Sequence, residues 1–182
     1  MKLTLPLDEA TARRLRAGDN VLLYGPMFVA RDAAHKRLIA LLEQGLPLPF
    51  PVQGETIYYA GPSPAPKGHV VGSIGPTTSG RMDRYTPKLL DLGLRCTVGK
   101  GKRSREVLSS MQKNGAVYLG VTGGAAALVA NCVKSSEIVC YEDLGPEAVR
   151  RITVEGLLAV VLADSEGNDL YELGRNQYRM DD

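Results

Sequence analysis

The chain has 182 residues, 44% of them hydrophobic and 23% charged, with 22 Lys and Arg against 20 Asp and Glu. That length suits one domain able to bury roughly 70% of its unfolded surface, and the composition excludes disorder and a collagen-like repeat. The formal charge of +2 points to no polyanionic partner, yet residues 1–105 carry 16 Lys and Arg against 8 Asp and Glu, and residues 106–182 carry 6 against 12.

A basic half hidden in a near-neutral chain makes an anion site in the first half worth seeking. No stretch approaches the roughly 20 apolar residues of a membrane span, and the start, Met1 to Asp8, reaches an acidic residue too soon for a signal peptide. Cys96, Cys132 and Cys140 are odd in number and form no CxxC pair, so a reducing cytoplasm is the expected setting. With His35 and His69 the only histidines and no HExxH spacing, no metal site is expected in this chain.

Val21–Tyr24 reads as a strand ended by Gly25-Pro26. Ala34, Leu38, Leu41 and Leu42 recur at helical spacing from Asp32 to Gln44, and Gly45 with Pro47 stops that helix. Leu46–Gln53 is a proline-rich loop, Thr56–Ala60 a strand, and Gly61–Gly68 a second loop. Thr77-Thr78-Ser79 caps a helix running through Met82 and Tyr85, with Pro87 breaking or restarting it. Strands at 96–98, 116–121 and 137–141 then alternate with helices at 104–113 and 124–132, the pattern of parallel βαβ units. Segments 152–155 and 157–163 complete the β structure. The expected fold is a single α/β domain with a loop-rich first half.

Gly75–Arg81 is the most loaded segment: three hydroxyls and two glycines before a helix start, then a guanidinium able to fork onto a carboxylate. It suits an anion, and it equally suits a plain N-cap after a turn. Val98–Ser104 misses the P-loop spacing, which leaves Lys100 between two glycines as a cation placed to face a small anion. Lys102, Arg103 and Arg105 read as a solvated basic turn. In Ala30–His35, Asp32 favours the helix start through capping and the dipole. Arg31 there can reach a ligand or pair with a carboxylate. His35 reads as a packed residue bonded to Asp32 rather than as a catalytic base. Gly120–Gly124 lacks GxGxxG and reads as close packing.

These segments, in this order, resemble the β subunit of class I, iron–sulfur-dependent fumarate hydratases. The module is also similar to the C-terminal domain of the single-chain enzymes and to the small subunit of L(+)-tartrate dehydratase. The matching runs are Gly25-Pro26, Ala30–His35, Tyr58–Pro62, Gly72–Asp83, Lys100-Gly101, Gly123–Ala126, Leu144–Ala148 and Gly167–Asp169, so the resemblance covers nearly all of residues 1–182.

The resemblance implies a swivelling β/β/α-type domain and reversible hydration of fumarate to L-malate. It implies a [4Fe–4S] cluster carried by an α subunit and not ligated by this chain. Arg31, Thr77, Arg81 and Lys100 would grip substrate carboxylates, and Thr78 would exchange the C3 proton. The implied partners are that α subunit and a small dicarboxylate, with no nucleic acid and no membrane. The alternatives are an L(+)-tartrate dehydratase β subunit and a non-catalytic anion-binding module.

Overall fold

The computed structural model describes residues 1–179. In chain order the elements are β1 (Lys2–Thr4), α1 (Glu9–Arg14), β2 (Asn20–Val29), α2 (Asp32–Glu43), β3 (Thr56–Tyr58), α3 (Thr86–Asp91) and β4 (Cys96–Gly99). They continue with α4 (Arg105–Asn114), β5 (Val117–Gly120), α5 (Ala126–Cys132), β6 (Val133–Cys140), β7 (Val149–Ala163) and α6 (Leu170–Tyr178). Short 3-10 helices occupy Ser79–Met82 and Glu142–Glu147. No helix among the described residues is long and apolar enough to cross a membrane.

The mixed α/β arrangement centres on a seven-stranded sheet of order β1-β2-β3-β4-β5-β7-β6, with β2 also paired to β7. Strands β2, β3, β4 and β5 are mutually parallel, and β7 runs antiparallel to both β5 and β2. Those pairings close β2, β3, β4, β5 and β7 into a ring, with β1 and β6 left as the outermost strands.

Strand alternation sorts the side chains into two cores. Leu23, Val29, Tyr58, Cys96, Val98, Leu119, Val154 and Val161 fill the inside of the ring, joined by Ala12 of α1, by Leu15 just past its end, and by Ile74 and Val129. Their neighbours Phe28, Ile57, Tyr59 and Tyr118 point outward and meet Leu38, Leu89, Leu90, Val107 and Met111 of α2, α3 and α4. Each fully buried aliphatic side chain contributes about 1.5–3 kcal/mol.

Several sequence expectations hold and others need correction. Helix α2 spans nearly the expected residues, and α4 opens on Ser104, whose Oγ accepts the Val107 amide at 3.3 Å. Strand β2 does not stop at Gly25-Pro26. Pro26 lies on a stretch that neither β1, paired at 22–24, nor β3, paired at 28–29, contacts, so its missing N–H breaks no ladder bond to either.

Segments 152–155 and 157–163 are one strand, joined through a bulge in which Gly156 adopts a φ of +73°, a conformation glycine reaches without strain. The second half is not parallel throughout, because β6 and β7 pair antiparallel. The helix expected through Met82 and Tyr85 is a four-residue 3-10 turn, and a separate α3 begins at Thr86 with Pro87 in its first turn. Strand β1 and helices α1 and α6 had not been expected from the sequence.

Candidate functional site

The four parallel strands end at one mouth of the ring, and each hands over to a segment singled out in the sequence. Beyond β2 lies Arg31, beyond β3 the Tyr59–Gly61 run, beyond β4 Lys100, and beyond β5 Thr122 to Gly124. The space outside the carboxyl ends of parallel strands is where α/β folds bind ligands.

The loop carrying Thr77 and Thr78 is woven into this mouth as an extra ladder. Ala60 bridges Pro76, the Thr77 amide donates to the Tyr59 carbonyl at 2.7 Å, and Thr78 bridges Lys100. The Ser79 amide then donates to the Lys100 carbonyl at 2.9 Å. Gly99 permits this approach: a Cβ there would stand 2.0 Å from the Ser79 Oγ.

This ladder corrects one sequence argument. The Thr77 and Ser79 amides are not spare helix-terminal donors for an anion, because both are spent on carbonyls. What remains for a ligand is the Thr78 amide, which has no acceptor among the described residues, together with the side chains. Among the described residues, the Thr77 and Thr78 hydroxyls and the Lys100 ammonium make no hydrogen bond, and Lys100 has no ion pair.

Arg81, half exposed, donates from Nε to the Asp32 Oδ1 at 2.8 Å. Both of its Nη groups stay without a hydrogen bond among the described residues. Arg31 lies on the other side of Asp32, its Nε 3.9 Å from Oδ2 and its Nη2 3.6 Å from the Glu147 Oε1. Gly61 leaves room for it, since a Cβ there would stand 3.0 Å from the Arg31 Cδ.

The structure thus gathers all five predicted residues at the mouth, from three separate stretches of chain. A cleft of about 230 Å³ opens at Lys100, the one of the five that lines it, with Thr122, Gly123 and Tyr171 among its other walls. Lys100 without an ion pair, free hydroxyls and the unbonded Nη groups of Arg81 suit a small dianion, because each carboxylate can be met by charge-assisted donors.

Asp32 turns out to orient the two arginines and does not cap α2. The cap comes from Glu147, whose Oε2 accepts the Ala33 amide at 2.9 Å, so a carboxylate from the acidic half completes the site's frame. No local pattern marks this role, since it depends on a contact 114 residues away.

His35 is packed as expected but is not bonded to Asp32. It is fully buried between Tyr59 and Tyr85, and its Nδ1 donates to the Arg31 carbonyl at 2.8 Å. Burial pushes its pKa from 6.5 down to about 4, so the ring is neutral at physiological pH. Arg103 is the clearest reversal. Expected in solvent, its side chain is buried and donates to Asp83, Thr97 and Thr86.

Metal-ligating side chains are scattered. Among the described residues no three His, Cys, Asp or Glu gather into a group that could hold an ion. Cys96 lies inside the ring, where burial pushes its thiol up to about 12 and keeps it protonated.

Comparison with known proteins gives a consistent set of relatives. The family model described as Fumarase C-terminus matches residues 1–174. "Fumarate hydratase 2" of Leishmania major is 39% identical over 173 residues, covering 93% of this chain and 30% of that protein. "Fumarate hydratase class I, aerobic" of Escherichia coli K12 is 40% identical over 174 residues, covering 93% and 32%. "Putative L(+)-tartrate dehydratase subunit beta" of Methanocaldococcus jannaschii is 39% identical over 172 residues, covering 91% and 88%. The chain therefore spans about a third of the fumarate hydratases it matches and most of the tartrate dehydratase relative.

Proposed function

The chain belongs to the Fumarase C-terminus family, and from that premise we propose that it is the β subunit of a cytoplasmic iron–sulfur hydro-lyase interconverting fumarate and L-malate. In this reading residues 1–182 form one domain that swivels over an α subunit, and the site is shared between the two chains. The observation that carries it is the cluster of unpaired donors at the ring's mouth: Thr77, Thr78, Lys100 and the Nη groups of Arg81.

A [4Fe–4S] cluster would belong to the α subunit, because this chain's cysteines are dispersed and no ligand set forms among the described residues. Bound there, it would supply a Lewis-acidic iron for the substrate hydroxyl.

This chain's residues account for the rest of the chemistry. Arg31, Arg81 and Lys100 hold the carboxylates of a dianion, with Thr77 adding a hydroxyl donor. The Asp32 and Glu147 carboxylates keep the arginines aimed while leaving donors free. Removing the C3 proton pushes charge onto the adjacent carboxylate, and fixed cations stabilise that charge without having to reorganise. Thr78 faces this region and serves as the proton-exchanging group. An unperturbed hydroxyl is a weak base, so its competence depends on the cations beside it.

The test is to combine the chain anaerobically with its cluster-bearing partner, iron and sulfide, and to follow fumarate–malate interconversion. Arg81→Ala is expected to lower kcat/KM by about 10²–10³-fold with little change in unfolding temperature. A reconstituted complex inactive toward every 2-hydroxydicarboxylate would overturn the reading and leave an anion-binding module.

The subunit-β relative makes L-tartrate the second substrate to try. Its additional hydroxyl needs another polar partner, and Thr122 stands exposed beside Lys100 in the same cleft.

A further inference from the structure

Arg103 has no exposed side-chain surface, and its donors are met from three directions. Nε donates to the Asp83 Oδ1 at 2.7 Å, Nη1 to the Thr97 hydroxyl at 3.0 Å, and Nη2 to the Thr86 hydroxyl at 2.8 Å. The guanidinium also lies 5.3 Å from the Tyr59 ring and 5.0 Å from the Tyr118 ring. One side chain therefore touches β4, α3, the end of β3, β5 and the residue closing the Ser79–Met82 turn.

The second Asp83 oxygen accepts the Ser104 amide at 2.6 Å, and the Tyr118 hydroxyl donates to the Ser79 Oγ at 2.9 Å. Arg81 is thus held in a short segment tethered at both ends, at Ser79 and at Asp83, and Thr78 directly precedes the first tether. A buried ion pair is a costly way to fill space, since apolar side chains of the same volume often hold a layer at least as firmly. What the charge adds is direction, because a planar fork fixes each acceptor at a set angle, which an ammonium does not.

Resting on the function proposed above, we infer that Arg103 is a positioning residue: through Asp83 it sets the Thr77–Arg81 segment against Lys100 so that the carboxylate-binding groups converge. Arg103→Lys keeps the charge and loses the fork. Asp83→Asn keeps an oxygen for the Ser104 amide and loses the ion pair.

Two measurements test this. In hydrogen exchange on the full chain, either variant is expected to speed exchange of amides 77–83 by about tenfold or more, leaving β4 and β5 protected as in the parent. In the reconstituted complex, Arg103→Lys is expected to lower kcat/KM by about 100-fold. In an Arg81→Ala background the same change should cost clearly less than about 100-fold, because part of its effect runs through Arg81.

Unchanged exchange at 77–83, or an equal loss in both backgrounds, would overturn the inference. A parent complex without turnover, combined with faster exchange at 77–83, would sink the proposed activity and leave the positioning role standing.

Discussion

The ring's interior and the layer outside it are both apolar cores, but they differ in how much polar structure they bury. Inside, Leu23, Val98, Leu119 and Val161 meet hydrocarbon on hydrocarbon. Outside, under α2, α3 and α4, the buried residues include His35, Thr86, Thr97, Ser79 and Arg103, each committed to a named partner or ring. Apolar packing is non-directional and tolerates volume-conserving change, whereas a satisfied polar network fixes angles. The inner core therefore holds the strands together, and the outer layer decides where the ends of those strands point.

Substitutions at the mouth should separate these roles most sharply. Lys100→Ala is expected to lower kcat/KM of the reconstituted complex by roughly 10³-fold, about 4 kcal/mol of transition-state stabilisation. Its thermal unfolding should stay within a few degrees of the parent. A matching loss of stability would show Lys100 to be structural.

Within the ring the pattern should invert. Leu23→Ala leaves a cavity among fully buried neighbours and should cost about 3–4 kcal/mol in urea unfolding. The KM of the folded fraction should be unchanged; a shifted KM would mean that the inner core also sets the site.

The outer layer carries its own signature in pH. Because burial holds the His35 pKa near 4, the unfolded chain takes up a proton around pH 6.5 that the folded chain refuses until about pH 4. Stability is therefore complete above pH 6.5 and falls as the pH drops through that window, by up to about 3 kcal/mol. His35→Asn should flatten this part of the profile, and an unchanged slope would assign it to other groups.

The smallest effect belongs to neither layer. Lys88 and Glu43 form an exposed ion pair at 2.7 Å, and Glu43→Ala should change stability by less than about 0.5 kcal/mol.

Elements whose signals are local were legible in the sequence. Helix α2 announced itself through apolar spacing closed by Gly45, α4 through its Ser104 cap, and β4 and β5 through short apolar runs. Thr77, Thr78, Arg81 and Lys100 lay in segments whose glycines and hydroxyls already suggested an anion, whereas Arg31 stood out only as a cation just before a helix. Illegible were features that depend on a distant partner. The continuation of β2 through Pro26 rests on a gap between β1 and β3, and the antiparallel course of β6 rests on β7.

The split of charge does not divide the site's frame in the same way. The basic half supplies Arg31, Arg81 and Lys100, yet Glu147 of the acidic half caps α2 and pairs with Arg31.

The sequence by itself determined the periodicities, the turns and the residue chemistry, because propensity, capping and hydropathy act within a few positions of the chain. Only the tertiary structure decided that the strands close into a ring and that their carboxyl ends bring Thr78, Arg81 and Lys100 together. It also decided that Arg103, four residues from Gly99 and charged like its exposed neighbours, is buried. Ring closure and burial are set by contacts between residues far apart in sequence, and no local pattern encodes which of several similar cations the fold will enclose.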